Sequence, residues 1–219
     1  MDTVAIYQDY VDPVDIADIL VYLQCYNLGV NKYRRKVGEG VSQTQGIVSR
    51  RSLPPDISRI TWLHPKLFKR IRDFAAKYVK IPYTSIQIND NFVCAPHKDS
   101  HNEGLSYIVA FGDFLDGELC IANGTTGEDT DYNINLRGLL FDGSVHTHWT
   151  KPWRGHRYSL VFFTMSPLDR WYGHIPDIDD YEAIEHEGDW KIRRISDGNL
   201  IWKKNPLPHP LLGRRYHAT

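Results

Sequence analysis

Residues 106–122 read SYIVAFGDFLDGELCIA: a run rich in aromatic and β-branched side chains from Ser106 to Phe111, a turn-like Gly112 to Gly117, and a second apolar run from Glu118 to Ala122. Two short apolar runs separated by glycine and aspartate have the texture of paired β-strands rather than of a helix. The same texture recurs from Thr84 onward, at Ser85 to Ile88, Tyr132 to Leu136, Leu139 to Phe141 and Tyr158 to Thr164. Short strands in regular succession, with no helical pattern between them, predict a sandwich, jelly roll or small barrel, because such sheets must close or pair to bury their apolar faces.

Upstream the period changes. Asp12-Pro13 precedes apolar residues at Val14, Ile16, Ile19, Leu20 and Leu23, which predicts a capped helix with proline in its first turn that stops near Asn27 to Gly29. A second helix is expected from Pro65, with Leu67, Ile71, Phe74 and Tyr78 on one stripe and an end before Ile81-Pro82. The expected class is therefore α+β, mainly β, with N-terminal helices packed on one sheet. A single domain spanning 1–219 would comprise a helical part over about 1–83, a strand core over about 84–165 and an extension over about 166–219.

Composition narrows the setting. Three scattered cysteines, Cys25, Cys94 and Cys120, are too few for a disulfide framework or a cysteine-based zinc site, and are expected as free, buried thiols. No stretch approaches the roughly 20 apolar residues of a membrane span. The start, Met1 to Tyr10, lacks the basic and apolar run of a leader, so a soluble intracellular protein of cytoplasm or nucleus is expected. A net charge of -1 neither demands nor excludes a nucleic-acid partner. Local charge is uneven: Asp169 to Asp189 is acidic, whereas Lys32 to Lys36, Arg50-Arg51 and the stretch from Lys191 to Arg215 are basic.

Cys94-Ala-Pro-His97-Lys-Asp99 places an imidazole and a carboxylate two residues apart, so an extended segment would point both to one side, where they could share a metal. About one such triplet is expected by chance at this histidine and aspartate content, so it decides nothing alone. Downstream, His148 precedes Arg157 by nine positions and Ser159 follows by two, a composite that chance should produce about 0.03 times. Two imidazoles and a carboxylate on one face of an iron leave open positions for a bidentate 2-oxo acid and O2. An arginine offers a planar fork to a carboxylate, and a serine on the same strand face adds a hydroxyl donor. His146 shares the strand face of His148, so either could be the third ligand. The overlapping His101-Asn102-Glu103 is a weaker chelating pair, because Ser100 to Gly104 reads as a polar turn.

In these residues the chain resembles the Fe(II)/2-oxoglutarate dioxygenases, whose pattern is H-x-D, a distal histidine and R-x-S. The likeness covers about Thr84 to Thr164 and includes Gly112 to Leu119, which resembles the family's G-D-x-x-G-G-E-L turn with Asp116 where glycine is common. The resemblance implies a double-stranded β-helix of the jelly-roll or cupin kind. It implies Fe(II) on His97, Asp99 and His148, the last favoured over His146 by its nine-residue step to the arginine. It also implies 2-oxoglutarate on Arg157 and Ser159, with O2 as oxidant.

His97-Lys-Asp99-Ser-His101-Asn102 is further similar to the ten-eleven translocation and J-base-synthesis branch, which oxidises the methyl group of 5-methylpyrimidines in nucleic acid. That likeness implies DNA or RNA as substrate, with Asn102, and His101 beside it, at the target base. An amide can donate to and accept from a base edge once the base is flipped out. Hydroxylation of a protein side chain or a free small molecule stays open, as does a metal-binding barrel without turnover.

Overall fold

The computed structural model describes residues 4–26, 28–29, 38–50, 53–124, 127–166, 181–186 and 189–201. In chain order the elements are β1 (Ala5–Tyr10), α1 (Pro13–Cys25), β2 (Gly38–Arg50), β3 (Leu53–Ile57), α2 (Arg59–Leu63), α3 (Pro65–Tyr78), β4 (Ser85–Cys94), β5 (Asn102–Asp116), β6 (Leu119–Ala122), β7 (Asp129–Tyr132), β8 (Arg137–Phe141), β9 (His148–Thr150) and β10 (Trp153–Met165). They continue with β11 (Tyr181–His186), β12 (Asp189–Arg194) and β13 (Leu200–Ile201). Seven strands form one antiparallel sheet in the order β1-β8-β5-β10-β4-β2-β3, and β7-β6-β9 form a second, smaller sheet. This is a jelly-roll, double-stranded β-helix core. A third sheet, β11-β12-β13, is formed by the C-terminal strands.

Strand alternation sorts the large sheet into two faces. Ile86 and Ile88 of β4, Tyr107, Val109 and Phe111 of β5, and Tyr158, Leu160 and Phe162 of β10 join Ile16, Ile19 and Leu23 of α1 and Leu67, Ile71 and Phe74 of α3 in one cluster. The helices thus cover one face, as expected. Phe162 stacks on Phe74 at 6.2 Å and meets Tyr107 edge-on at 5.8 Å. Burying each such side chain contributes about 1.5–3 kcal/mol. The opposite face packs Ile108, Ala110, Phe114 and Leu139 against Leu119 and Ile121 of β6.

Both expected helices form where their signals lie. The Asp12 side chain accepts from the Val14 N–H and Pro13 opens α1, satisfying an orphan donor while proline gives up none. Val14 is the exception to the apolar stripe, at 79% exposure.

The N-terminal part is less helical than expected, because β1, β2, β3 and the short α2 lie within it. Strand β2, GEGVSQTQGIVSR, hides from a search for apolar alternation because its buried positions include Ser42 and Gln45. A strand over Tyr132 to Leu136 is also not found. The strand there is β7, ending at Tyr132, and Asn133 accepts from the Asn135 N–H to make a side-chain turn instead. The turn near Ser100 is shorter than expected, since β5 begins at Asn102. Of the cysteines, Cys120 is buried, Cys94 is half-buried and Cys25 is exposed, so burial holds for one of three.

Candidate active site

Pro96 cannot donate to a ladder, and β4 ends just before it, at Cys94. The chain then approaches β9: the His97 N–H donates to His148 O at 3.1 Å and the His148 N–H donates to His97 O at 3.0 Å. The Asp99 N–H donates to Gly143 O at 2.8 Å, and the Asn102 N–H closes a turn on Asp99 O at 2.9 Å. His97 therefore sits in an isolated bridge, not on the extended strand the H-x-D spacing suggested. Convergence with Asp99 comes from two backbone anchors.

One donor atom from each of His97, Asp99 and His148 lies within 4.8 Å of the other two. Asp99 Oδ1 is 3.5 Å from His97 Nε2 and Asp99 Oδ2 is 3.5 Å from His148 Nε2. Each imidazole is oriented from behind. Nδ1 of His97 is 2.8 Å from Ala95 O, and Nδ1 of His148 is 3.0 Å from His146 O. A carbonyl can only accept, so Nδ1 carries a proton and Nε2 is the nitrogen presented to a metal, which would take that position in place of a second proton. His146 thus contributes its carbonyl, while His148 contributes its ring.

Burial disfavours charge on Asp99, yet contacts with His148 and His97 pull its carboxyl well below the usual carboxylate range. Burial likewise works against a charged His97, and the contacts with Asp99 and Cys94 overcome it and raise the imidazole. A site that holds a carboxylate as the anion and gathers imidazoles around it is prepared for a cation. Two nitrogens and a carboxylate oxygen on one face suit iron(II) with open positions, so the donor set fits that group.

A cavity of about 220 Å³ opens on this triad, with Ile108, Leu119, Phe141 and Val161 as apolar wall and Gln87, Asn89, Asn102 and Ser159 as polar wall. Arg157 shares the β10 face of Ser159 and is 3% exposed. Its Nε and Nη2 have no hydrogen-bond partner among the described residues. Burial lowers the guanidinium to about 10, and Phe114 and Trp153 face it at 5.5 and 5.6 Å. A buried cation with unspent donors calls for an anion.

No protein-family model matches the sequence, and no curated protein does. Among solved structures the fold is similar to a Pseudomonas putida prolyl-4-hydroxylase (TM-score 0.47, 11% identity, over 76% of this chain and 95% of that one). It is also similar to an oxidoreductase of the 2OG-Fe(II) oxygenase family from Burkholderia pseudomallei (0.48, 16%, over 74% and 85%). A third likeness is to NgTET1 in complex with 5mC DNA (0.49, 13%, over 74% and 71%). Likenesses this distant say nothing of what the chain acts on.

The structure brings together His97, Asp99, His148 and Asn102 at the cavity, with Ser159 on its wall. It does not bring in His101, which is exposed and whose carbonyl accepts from the Ser166 N–H. Of the basic stretches, Arg50 ends β2 and Lys191, Arg193 and Arg194 lie in β12, whereas Lys32 to Lys36, Arg51 and the residues from 202 onward lie outside the described residues.

Four contributing residues went unread in the sequence. Gly143 leaves room for the triad: a Cβ there would sit 3.2 Å from His148 Cε1 and 3.3 Å from Asp99 Oδ2. Cys94 Sγ lies 3.2 Å from His97 Nδ1. Gln87 and Asn89 supply the polar wall, and the alternation Ile86-Gln87-Ile88-Asn89 was the available signal, with polar residues on the inward face of a fully covered strand.

Proposed function

We propose that the chain is an Fe(II)/2-oxoglutarate-dependent dioxygenase. His97, Asp99 and His148 hold the metal, and Arg157 and Ser159 hold the far carboxylate of 2-oxoglutarate. One relationship carries this reading: a His-Asp-His cluster within 4.8 Å opens onto a cavity whose wall includes Ser159, and two residues before Ser159, on the same face of β10, lies a buried arginine with unspent donors. A metal site alone would be compatible with storage or structure. The arginine adds the demand for an anion.

When bound, iron and 2-oxoglutarate supply the oxidation, in which O2 is reduced, 2-oxoglutarate loses CO2 to give succinate, and a substrate C–H becomes C–OH. The protein's part is placement. Ala95 O and His146 O fix both imidazoles, Asp99 stays ionised, and the apolar wall of Ile108, Leu119 and Phe141 keeps bulk water from the reacting atoms.

For the substrate, the reading is the 5-methyl group of a pyrimidine in DNA. A cavity of about 220 Å³ admits a small acid and one flat group, not a polymer. A large substrate must therefore insert one unit, as a flipped base does. Asn102, half-buried on the cavity wall, has an amide suited to a base edge. The alternative is a protein side chain or free small molecule entering the same way.

Two measurements test this. Protein incubated with Fe(II), ascorbate and 2-oxoglutarate should release succinate, and release by Asp99→Ala equal to wild type would sink the enzyme assignment. Mass spectrometry of nucleosides from methylated DNA in the same mixture should show oxidised 5-methylpyrimidine. Succinate release with unchanged nucleosides would transfer the assignment to the alternative substrates.

A further inference from the structure

Strands β2, β4 and β10 are neighbours, and their register sets Ser42 opposite Asn89, Thr44 opposite Gln87, and Asn89 opposite Ser159. Their side chains form one continuous hydrogen-bonded chain. Thr44 Oγ1 donates to Gln87 Oε1 at 2.6 Å, and Gln87 Nε2 donates to Ser42 Oγ at 2.8 Å. Ser42 Oγ donates to Asn89 Oδ1 at 2.7 Å, and Asn89 Nδ2 donates to Ser159 Oγ at 3.1 Å. Ser42, Gln87 and Ser159 are buried, at 1%, 5% and 2% exposure.

Polarity is the informative feature. A hydroxyl has one hydrogen, and those of Thr44 and Ser42 are spent within the chain. Ser159 only accepts from the chain, so its own hydrogen remains, together with the second N–H of Gln87 and of Asn89. Ser159, Gln87 and Asn89 all line the cavity. With both amides turned over, the chain would be equally well bonded, but the Ser159 hydrogen would be spent on Asn89. An anion beside Arg157 favours the polarity that keeps that donor available.

Building on the reading of Arg157 and Ser159 above, we propose that Thr44, Gln87, Ser42 and Asn89 form a relay. It holds Ser159 as a donor and makes the wall selective for a 2-oxo acid bearing a second, distal carboxylate. Ser42 and Thr44 act as positioning residues through the groups they bond. The relay also explains why β2 is polar on its inward side, at a cost in apolar burial that a purely structural strand would not carry.

Titration calorimetry on Zn(II)-loaded protein tests this without turnover, comparing 2-oxoglutarate with 2-oxobutyrate, which keeps the chelating head and lacks the distal carboxylate. Ser42→Ala should weaken 2-oxoglutarate about five- to tenfold while 2-oxobutyrate stays within about twofold of wild type. Thr44→Val, at the far and less buried end, should act in the same direction by about two- to threefold, and it carries the comparison if Ser42→Ala folds poorly. Unchanged 2-oxoglutarate affinity in both variants overturns the relay. So does equal weakening of both acids, which is the signature of a structural role. Wild-type protein that binds Zn(II) but shows no preference for 2-oxoglutarate over 2-oxobutyrate overturns the cosubstrate assignment itself, a failure distinct from that of the relay.

Discussion

The backbones of His97 and His148 exchange both hydrogen bonds, at 3.1 and 3.0 Å, although strands β5 to β8 lie between them in sequence. Main-chain pairing fixes the two backbones that carry these imidazoles. A preorganised site of this kind should keep its fold when stripped, and gain stability by mass action when loaded. Chelator-treated protein should therefore retain its far-UV circular dichroism, while Mn(II) at 100 times its Kd should add about 2.7 kcal/mol, read as a rise in Tm. Asp99→Ala should lose that rise and keep the dichroism. Unfolding on chelation would show that metal, not backbone, organises the site.

Arg157 gives a prediction in which two signs oppose. Its buried guanidinium is held down to about 10 by desolvation and has unspent donors, so without a ligand it weighs against the fold. Arg157→Met keeps the bulk and removes the charge. Ligand-free Arg157→Met should melt no lower than wild type, while its 2-oxoglutarate affinity should fall by about 100-fold, the order expected when a desolvated ion pair loses one partner. Calorimetry and thermal melting on the same sample check both. A lower Tm with unchanged affinity would make Arg157 a structural residue.

How much of this was legible in the sequence follows from which forces dominate where. Helices α1 and α3 could be read because Ile16, Ile19, Leu23, Leu67, Ile71 and Phe74 bury against an apolar sheet face, which imposes a clear period. The other face of that sheet bounds a cavity with one apolar and one polar wall. There Ser42, Gln87 and Asn89 replace the expected apolar positions and β2 escapes notice. The metal cluster was legible through the spacing of His148, Arg157 and Ser159, since strand alternation places Arg157 and Ser159 on one face. The preference for His148 over His146 came from its nine-residue step to Arg157; the expected shared strand face is not found, because β9 begins at His148 and His146 lies in the bend before it. It takes the carbonyl of His146 on the ring of His148 to separate them.

Asn102 makes two contacts with Asp99, through its backbone N–H at 2.9 Å and through Nδ2, which lies 3.4 Å from Asp99 Oδ2. The second is long, which leaves the amide available to a base edge. Asn102→Ala should then lower oxidation of 5-methylpyrimidine DNA by about tenfold or more, while uncoupled decay of 2-oxoglutarate continues at the wild-type rate. Parallel assays of oxidised nucleoside and succinate distinguish the cases. Equal loss of both would mean that Asn102 acts by orienting the Asp99 carboxylate.

His64 provides a pH prediction away from the site. It is 2% exposed, shares a hydrogen bond with the Tyr22 hydroxyl through Nδ1 at 3.1 Å, and its Nε2 has no partner among the described residues. Burial lowers it from 6.5 to about 4, so the folded protein keeps His64 neutral where an unfolded chain would already protonate it. The unfolded state then binds more protons, and stability falls as pH drops from about 6.5 toward 4. At pH 5 this one group should cost about 2 kcal/mol relative to neutral pH, or roughly 5 °C in Tm for a chain of this length. His64→Gln removes the titration while keeping a polar partner for Tyr22. Its Tm will be lower at pH 7 through lost packing, but the drop from pH 7 to pH 5 should shrink by about that 5 °C. An identical drop in both proteins would show that acid sensitivity resides in other groups.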